Sequence, residues 1–145
     1  MIYRPELPAV RTPIGNYLMC REVGELLFVS GHGSFLGPVQ THRGKLGKDL
    51  TVEEGKQAAH NTILSALASV EQHLGDLERV TGVVRVFGMV NCTPDFDQTP
   101  AVMDGASDLL IEVFGDAGRH TRCAVGLNAL PNQMAVEIEM VMTFK

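Results

Sequence analysis

Between Gly115 and Glu139 the chain reads GDAGRHTRCAVGLNALPNQMAVEIE. Arg119, His120 and Arg122 stand directly before an apolar, β-prone run, Cys123 to Leu130. A turn at Pro131-Asn132 leads into a second strand-like run carrying Glu137 and Glu139. An arginine at the mouth of a strand offers a rigid donor fork that fits a carboxylate or phosphate. With a carboxylate on the following strand, this is how a pocket for a small anion can be built. The same residues also suit a solvated loop and the wet face of a sheet, the commoner outcome on spacing alone.

Other residues carry weaker signals. Asp104 and Asp108 stand four apart on a helical stretch and resemble a metal pair, but without further ligands they read as a solvated face. His60 and His73 have no partner at metal-binding spacing. GHGSFLG, Gly31 to Gly37, is not GxGxxG, and no helix opens behind it, so its glycines read as permitting a tight turn. Cys20, Cys92 and Cys123 are odd in number and far apart, which suits buried thiols and neither a disulfide framework nor a CxxC metal site.

The chain's 145 residues, 45% hydrophobic and 20% charged, suit one globular domain over 1–145 with a single core. No apolar run is long enough to span a bilayer, and MIYRPELPAV lacks a signal-peptide pattern, so a cytoplasmic protein is expected. A net charge of −5 with no Trp disfavours a specific nucleic-acid partner, because neither a basic stripe nor a stacking platform is visible.

The elements that must position the candidate residues can be read in order. Residues 16–21 and 26–30 predict a strand hairpin, ended by Gly31-His32-Gly33. Ser34 to Asp49 reads as a loop with a short strand around Lys45 to Lys48. Thr51 and Glu54 form a capping box for a long helix that Gly75 terminates. Val80 to Asn91 is β-branched and suits a central strand. Thr99 can cap a second helix with Pro100 at its first position and Gly115 at its end. Arg122–Leu130 and Met134–Phe144 close the chain as strands. In the last, Val136, Ile138, Met140, Met142 and Phe144 alternate with Glu137, Glu139, Val141 and Thr143. This order predicts an α+β domain: one mixed sheet with both helices on one face. The other face keeps apolar residues such as Val141 and should meet another subunit.

Four motifs recur in order: Ile14-Gly15-Asn16-Tyr17, LLFVSG from Leu26 to Gly31, RCAVGLNALP from Arg122 to Pro131, and VEIE from Val136 to Glu139. Together they make the chain, from about Pro13 to Phe144, resemble the RidA/YjgF family of enamine/imine deaminases, also called the endoribonuclease L-PSP family. The resemblance implies a chorismate-mutase-like fold and a homotrimer with sites in the clefts between subunits. It implies that Arg122 grips a substrate carboxylate and that Glu137 helps hold the attacking water. Tyr17 and the Ser30-Gly31 backbone would line the pocket. His32 and Ala124 fall at substrate-binding positions where the family more often has Gln and Cys. Ser107 stands where an Asn is common, and the stretch from Asn91 to Leu110 is longer than in the deaminase branch. These departures leave the anion grip and bear on substrate identity.

On this resemblance the chemistry is hydrolysis of an imine of a 2-oxo acid. Arg122 would hold the carboxylate and Glu137 would position or deprotonate the water. No metal or cofactor is called for. Two other readings stand beside it: small-carboxylate binding without turnover, and RNA cleavage, which the acidic charge disfavours. His32 is a candidate acid or base for any of them, although a loop histidine facing solvent is the commoner case.

Overall fold

The computed structural model describes residues 1–145. Its main sheet contains β1 (Cys20–Val23), β2 (Leu26–Gly33), β5 (Val80–Asn91), β6 (Thr121–Leu127) and β7 (Val136–Phe144). A small ribbon, β3 (Phe35–Leu36) and β4 (Val39–Gln40), lies between β2 and the first helix. The helices are α1 (Val52–Leu74) and α2 (Thr99–Phe114). The main sheet runs in the order β1-β2-β7-β5-β6. Every neighbouring pair is antiparallel except β5–β6, which is parallel. Parallel neighbours need a crossover, and α2 supplies it.

Both helices cover one face of the sheet. A single cluster of 29 buried residues joins them to it, including Ile63 and Leu67 of α1, Met103 and Leu110 of α2, and Val86 and Ile138 of the strands. The helices meet at backbone distance: a Cβ on Gly105 would lie 2.1 Å from the Lys56 carbonyl oxygen. The other sheet face has no cover within the chain. Phe28 stands opposite Val141 there, and Phe28 is 45% exposed. No helix is long and apolar enough to cross a membrane.

The capping box of α1 forms as the sequence predicts. The Thr51 hydroxyl accepts from the Glu54 N–H and the Glu54 carboxylate accepts from the Thr51 N–H. Gly75 closes the helix in the left-handed region at φ 89°. Thr99 behaves differently from its expected capping role. Gln98 occupies the cap position without a side-chain bond, and the Thr99 hydroxyl donates to the Ala124 carbonyl at 3.0 Å, tying α2 to β6.

Strand edges also move. The first strand starts at Cys20 rather than residue 16. β2 continues through Gly33, because a bulge between Val29 and His32 lets it keep pairing with β7. Around Lys45 to Lys48 only isolated bridges of Leu46 to Leu50 and to Cys92 form. β6 stops at Leu127.

Candidate functional site

Residues paired across neighbouring strands share a sheet face. Arg122 pairs with Val86, a fully buried core residue, so Arg122 leaves the sheet on the helix side. Glu137 pairs with Gly33 and Met89 and precedes the buried Ile138, so it leaves on the uncovered side. β7 is the middle strand and β6 is an edge. The two candidate catalytic residues therefore belong to different clefts of the same chain.

The first cleft, of about 450 Å³, gathers Tyr17, Ser30, Gly31, His32 and Glu137. The β2 bulge brings the Gly31 backbone against the glutamate: a Cβ there would lie 2.3 Å from Glu137 Oε2. Burial pushes the Glu137 carboxyl above its ordinary range, and the neighbouring Glu139 charge pushes it the same way. The Ser30 hydroxyl donates to the Leu18 carbonyl at 2.6 Å, and its N–H bonds the Met19 carbonyl. Tyr17 remains largely exposed at the rim.

His32 is not a solvent-facing loop histidine. It pairs with Ile138 on β7 and is buried on the helix side. Nδ1 lies 2.7 Å from the Ser30 carbonyl and Nε2 lies 2.8 Å from Ser69 Oγ on α1. The carbonyl can only accept, so Nδ1 carries the proton and Nε2 accepts from the Ser69 hydroxyl. Burial is the main reason the His32 pKa falls below its ordinary value, and the nearby Arg11 charge adds to it. A neutral imidazole with both nitrogens engaged braces β2 against α1. It has no free nitrogen to act as acid or base toward a ligand.

The second cleft holds Arg122, Asp104, Ser107 and His120. Arg122 Nη1 donates to Asp104 Oδ1 at 2.9 Å and to Ser107 Oγ at 3.1 Å. Nη2 donates to the Pro100 carbonyl at 3.3 Å. The Ser107 hydroxyl also meets His120 Nε2 at 2.8 Å, while His120 Nδ1 lies 2.6 Å from the Gly118 carbonyl. Asp104 is thus an internal partner of the arginine, not the free solvated face its spacing suggests. Ala124 shares the helix-side face of β6 with Arg122 and packs against the core. Cys123 is exposed, as strand alternation requires, so only Cys20 and Cys92 are the buried thiols expected. No group of three or more His, Cys, Asp or Glu side chains stands close enough to hold a metal ion.

Sequence reasoning missed three cleft residues. Arg11 and Asn132 line the Glu137 cleft, and Asp104 occupies Arg122. Asn132 and Gln133 sit at positive φ, 55° and 54°, in the Pro131 turn. The Pro131-Asn132 pair signalled the turn. Nothing local signalled that Arg11, in a proline-rich lead-in, folds onto β2.

The comparisons with known proteins agree with this architecture. The family model described as "YjgF/chorismate mutase-like, putative endoribonuclease" matches residues 3–141. The Trypanosoma cruzi protein TCP17 is 42% identical over 137 residues, covering 92% of this chain and 84% of its own. A crystal structure named as a "putative endoribonuclease" from Shewanella oneidensis MR-1 is 35% identical, with a TM-score of 0.92. It covers 96% of this chain and 92% of its own. An Agrobacterium tumefaciens protein of unknown function is 34% identical with a TM-score of 0.91, covering 96% of this chain and 86% of its own.

Proposed function

The chain belongs to the YjgF/chorismate mutase-like family, and from that membership we propose that it hydrolyses reactive 2-imino acids to 2-oxo acids and ammonia. The observation that carries the reading is the Glu137 carboxylate, partly buried in a cleft beside Tyr17 and the Gly31 backbone, with its pKa raised. A carboxylate displaced upward in this way is a better proton acceptor near neutral pH than an exposed one. Water adds to the C=N carbon while Glu137 takes its proton. The proton then passes to the nitrogen, giving a carbinolamine. Its hydroxyl proton moves to the nitrogen, by way of Glu137, as the C–N bond breaks, so ammonia leaves and the carbonyl forms. Proximity supplies much of the acceleration, since an imine already hydrolyses readily in water.

The anion grip is assigned to Arg122 of a neighbouring subunit. Arg122 and Glu137 leave opposite faces of one sheet, so a ligand touching both needs two chains. The uncovered apolar face around Phe28 and Val141 supports such an assembly, and the proposed assembly is a homotrimer with three equivalent clefts. The Asp104–Arg122 pair is partly exposed and made through one oxygen. Such a pair is worth little, so a ligand carboxylate approaching in a two-point geometry can displace it.

A second reading, carboxylate binding without turnover, draws on one observation. The Ser30 hydroxyl and both His32 nitrogens are committed to protein partners, which leaves Glu137 with little help in moving protons. RNA cleavage, which the family description names, fits less well: the chain carries −5 net charge and the cleft holds two glutamates. The deciding experiment couples an amino-acid oxidase to semicarbazide trapping. Wild-type protein should suppress semicarbazone formation, and Arg122→Ala should not. Glu137→Gln should slow hydrolysis by about 10²–10⁴-fold. An inactive wild type that still binds 2-oxo acids would select the binding reading.

A further inference from the structure

Arg11 is the one lysine or arginine that lines the Glu137 cleft. Its guanidinium carbon lies 3.5 Å from the centre of the Phe35 ring. Stacking of this kind fixes the plane of the fork and leaves its N–H edges free. Arg4, Arg85, Arg119 and Arg122 each pair with a carboxylate; Arg11, like Arg21, Arg43 and Arg79, does not, but of these four only Arg11 lines the Glu137 cleft. The glutamates of the cleft do not answer it either: Glu139 lies 3.9 Å from Arg85, and Glu137 makes no ion pair with Arg11. A stacked, partly buried cation without a counter-ion is a preformed seat for an anion.

We propose that Arg11 anchors a second acid group on the ligand, so that the cleft selects dicarboxylic 2-imino acids over those with apolar side chains. This rests on the hydrolytic reading above and adds the substrate class to it. The α-carboxylate goes to Arg122, the imine carbon faces Glu137, and the side-chain carboxylate goes to Arg11. With one carboxylate, the ligand satisfies only one of the two cations. With two, each arginine meets a carboxylate. An apolar side chain in the same place leaves the Arg11 fork covered and unpaired, which costs binding.

The test compares imines made by oxidase action on glutamate and on 2-aminobutanoate, scored by semicarbazide trapping. Wild-type protein should favour the glutamate-derived imine by about tenfold in kcat/KM, the gain of one charge-assisted pair. In Arg11→Gln that ratio should fall to about one, and Arg11→Lys should keep part of it, since charge remains without the fork. A wild-type ratio near one, or an unchanged ratio in Arg11→Gln, overturns the proposal. If wild-type protein hydrolyses neither imine, the hydrolytic reading falls, and calorimetry with 2-oxoglutarate and 2-oxobutanoate decides Arg11 separately. About tenfold weaker 2-oxoglutarate binding in Arg11→Gln then supports the anchor, and equal affinity refutes it.

Discussion

Asp104→Asn should tighten, not weaken, the binding of small carboxylates. In the free protein Asp104 Oδ1 sits 2.9 Å from Arg122 Nη1, on the fork assigned to the ligand. Two unit charges about 4 Å apart attract by about 1 kcal/mol in water and about 4 kcal/mol at an effective dielectric of about 20. The Asp104 side chain is 53% exposed and that of Arg122 is 22% exposed, so the lower end applies. Side-chain ordering and salt reduce it further, to about 0.5–1 kcal/mol. A ligand carboxylate that displaces Asp104 forfeits that amount, so removing the charge should lower Kd about two- to fivefold. The arginine should stay in place, because Ser107 Oγ and the Pro100 carbonyl still hold it. Titration calorimetry with 2-oxobutanoate reads the effect, with Arg122→Ala as the control that loses binding. The gain should shrink in 1 M salt, where the Debye length is about 3 Å. Weaker binding in Asp104→Asn would make Asp104 a brace that positions Arg122. Unchanged binding would mean that no carboxylate reaches this fork, and the assignment of Arg122 would fall.

Glu137 should lower stability at neutral pH. Its folded pKa is raised, so its contribution is complete below the unfolded carboxylate value and is lost as pH rises through the folded one. Melting curves should therefore show Glu137→Gln more stable than wild type at pH 7–8, with the gap closing below about pH 4; a gap that persists in acid would assign it to packing. His32 has the opposite sign. Its folded pKa is depressed, so its contribution is present above about pH 6.5 and is lost as pH falls through the folded value. The acid-side loss of stability should be shallower in His32→Gln, and an identical slope would remove His32 as its source. Gly105→Ala should cost about 1–3 kcal/mol by denaturant titration, because the new Cβ meets backbone oxygen of α1 and the helices must part. Wild-type stability there would mean that α1 and α2 can separate freely.

Much of the architecture was legible locally. The Thr51–Glu54 box, Gly75 and the period-two pattern of Val136 to Phe144 each act through neighbours a few residues away, so they survive without tertiary information. Thr99 shows where that logic stops. A threonine before a proline reads as a cap, yet its hydroxyl found a carbonyl on β6, 25 residues on. Strand ends shifted for a similar reason, since pairing across the sheet outlasts the local signal, as at Gly31 to Gly33.

By itself the sequence determined the two helices, the five strands of the main sheet, their class and the residue types able to do chemistry, because spacing and propensity are properties of short stretches. The β3–β4 ribbon and the missing strand at Lys45 to Lys48 were not written locally. Only the tertiary structure decided which of those residues share a cleft. Strand order put Glu137 on the middle strand and Arg122 on an edge, and the pleat sent them to opposite faces. Folding the lead-in over β2 set Arg11 in the Glu137 cleft, and packing α2 on β6 gave Arg122 the partner Asp104. A side chain's charge is written in the sequence, but whether that charge is already answered depends on contacts between distant segments, which form only when the chain closes on itself.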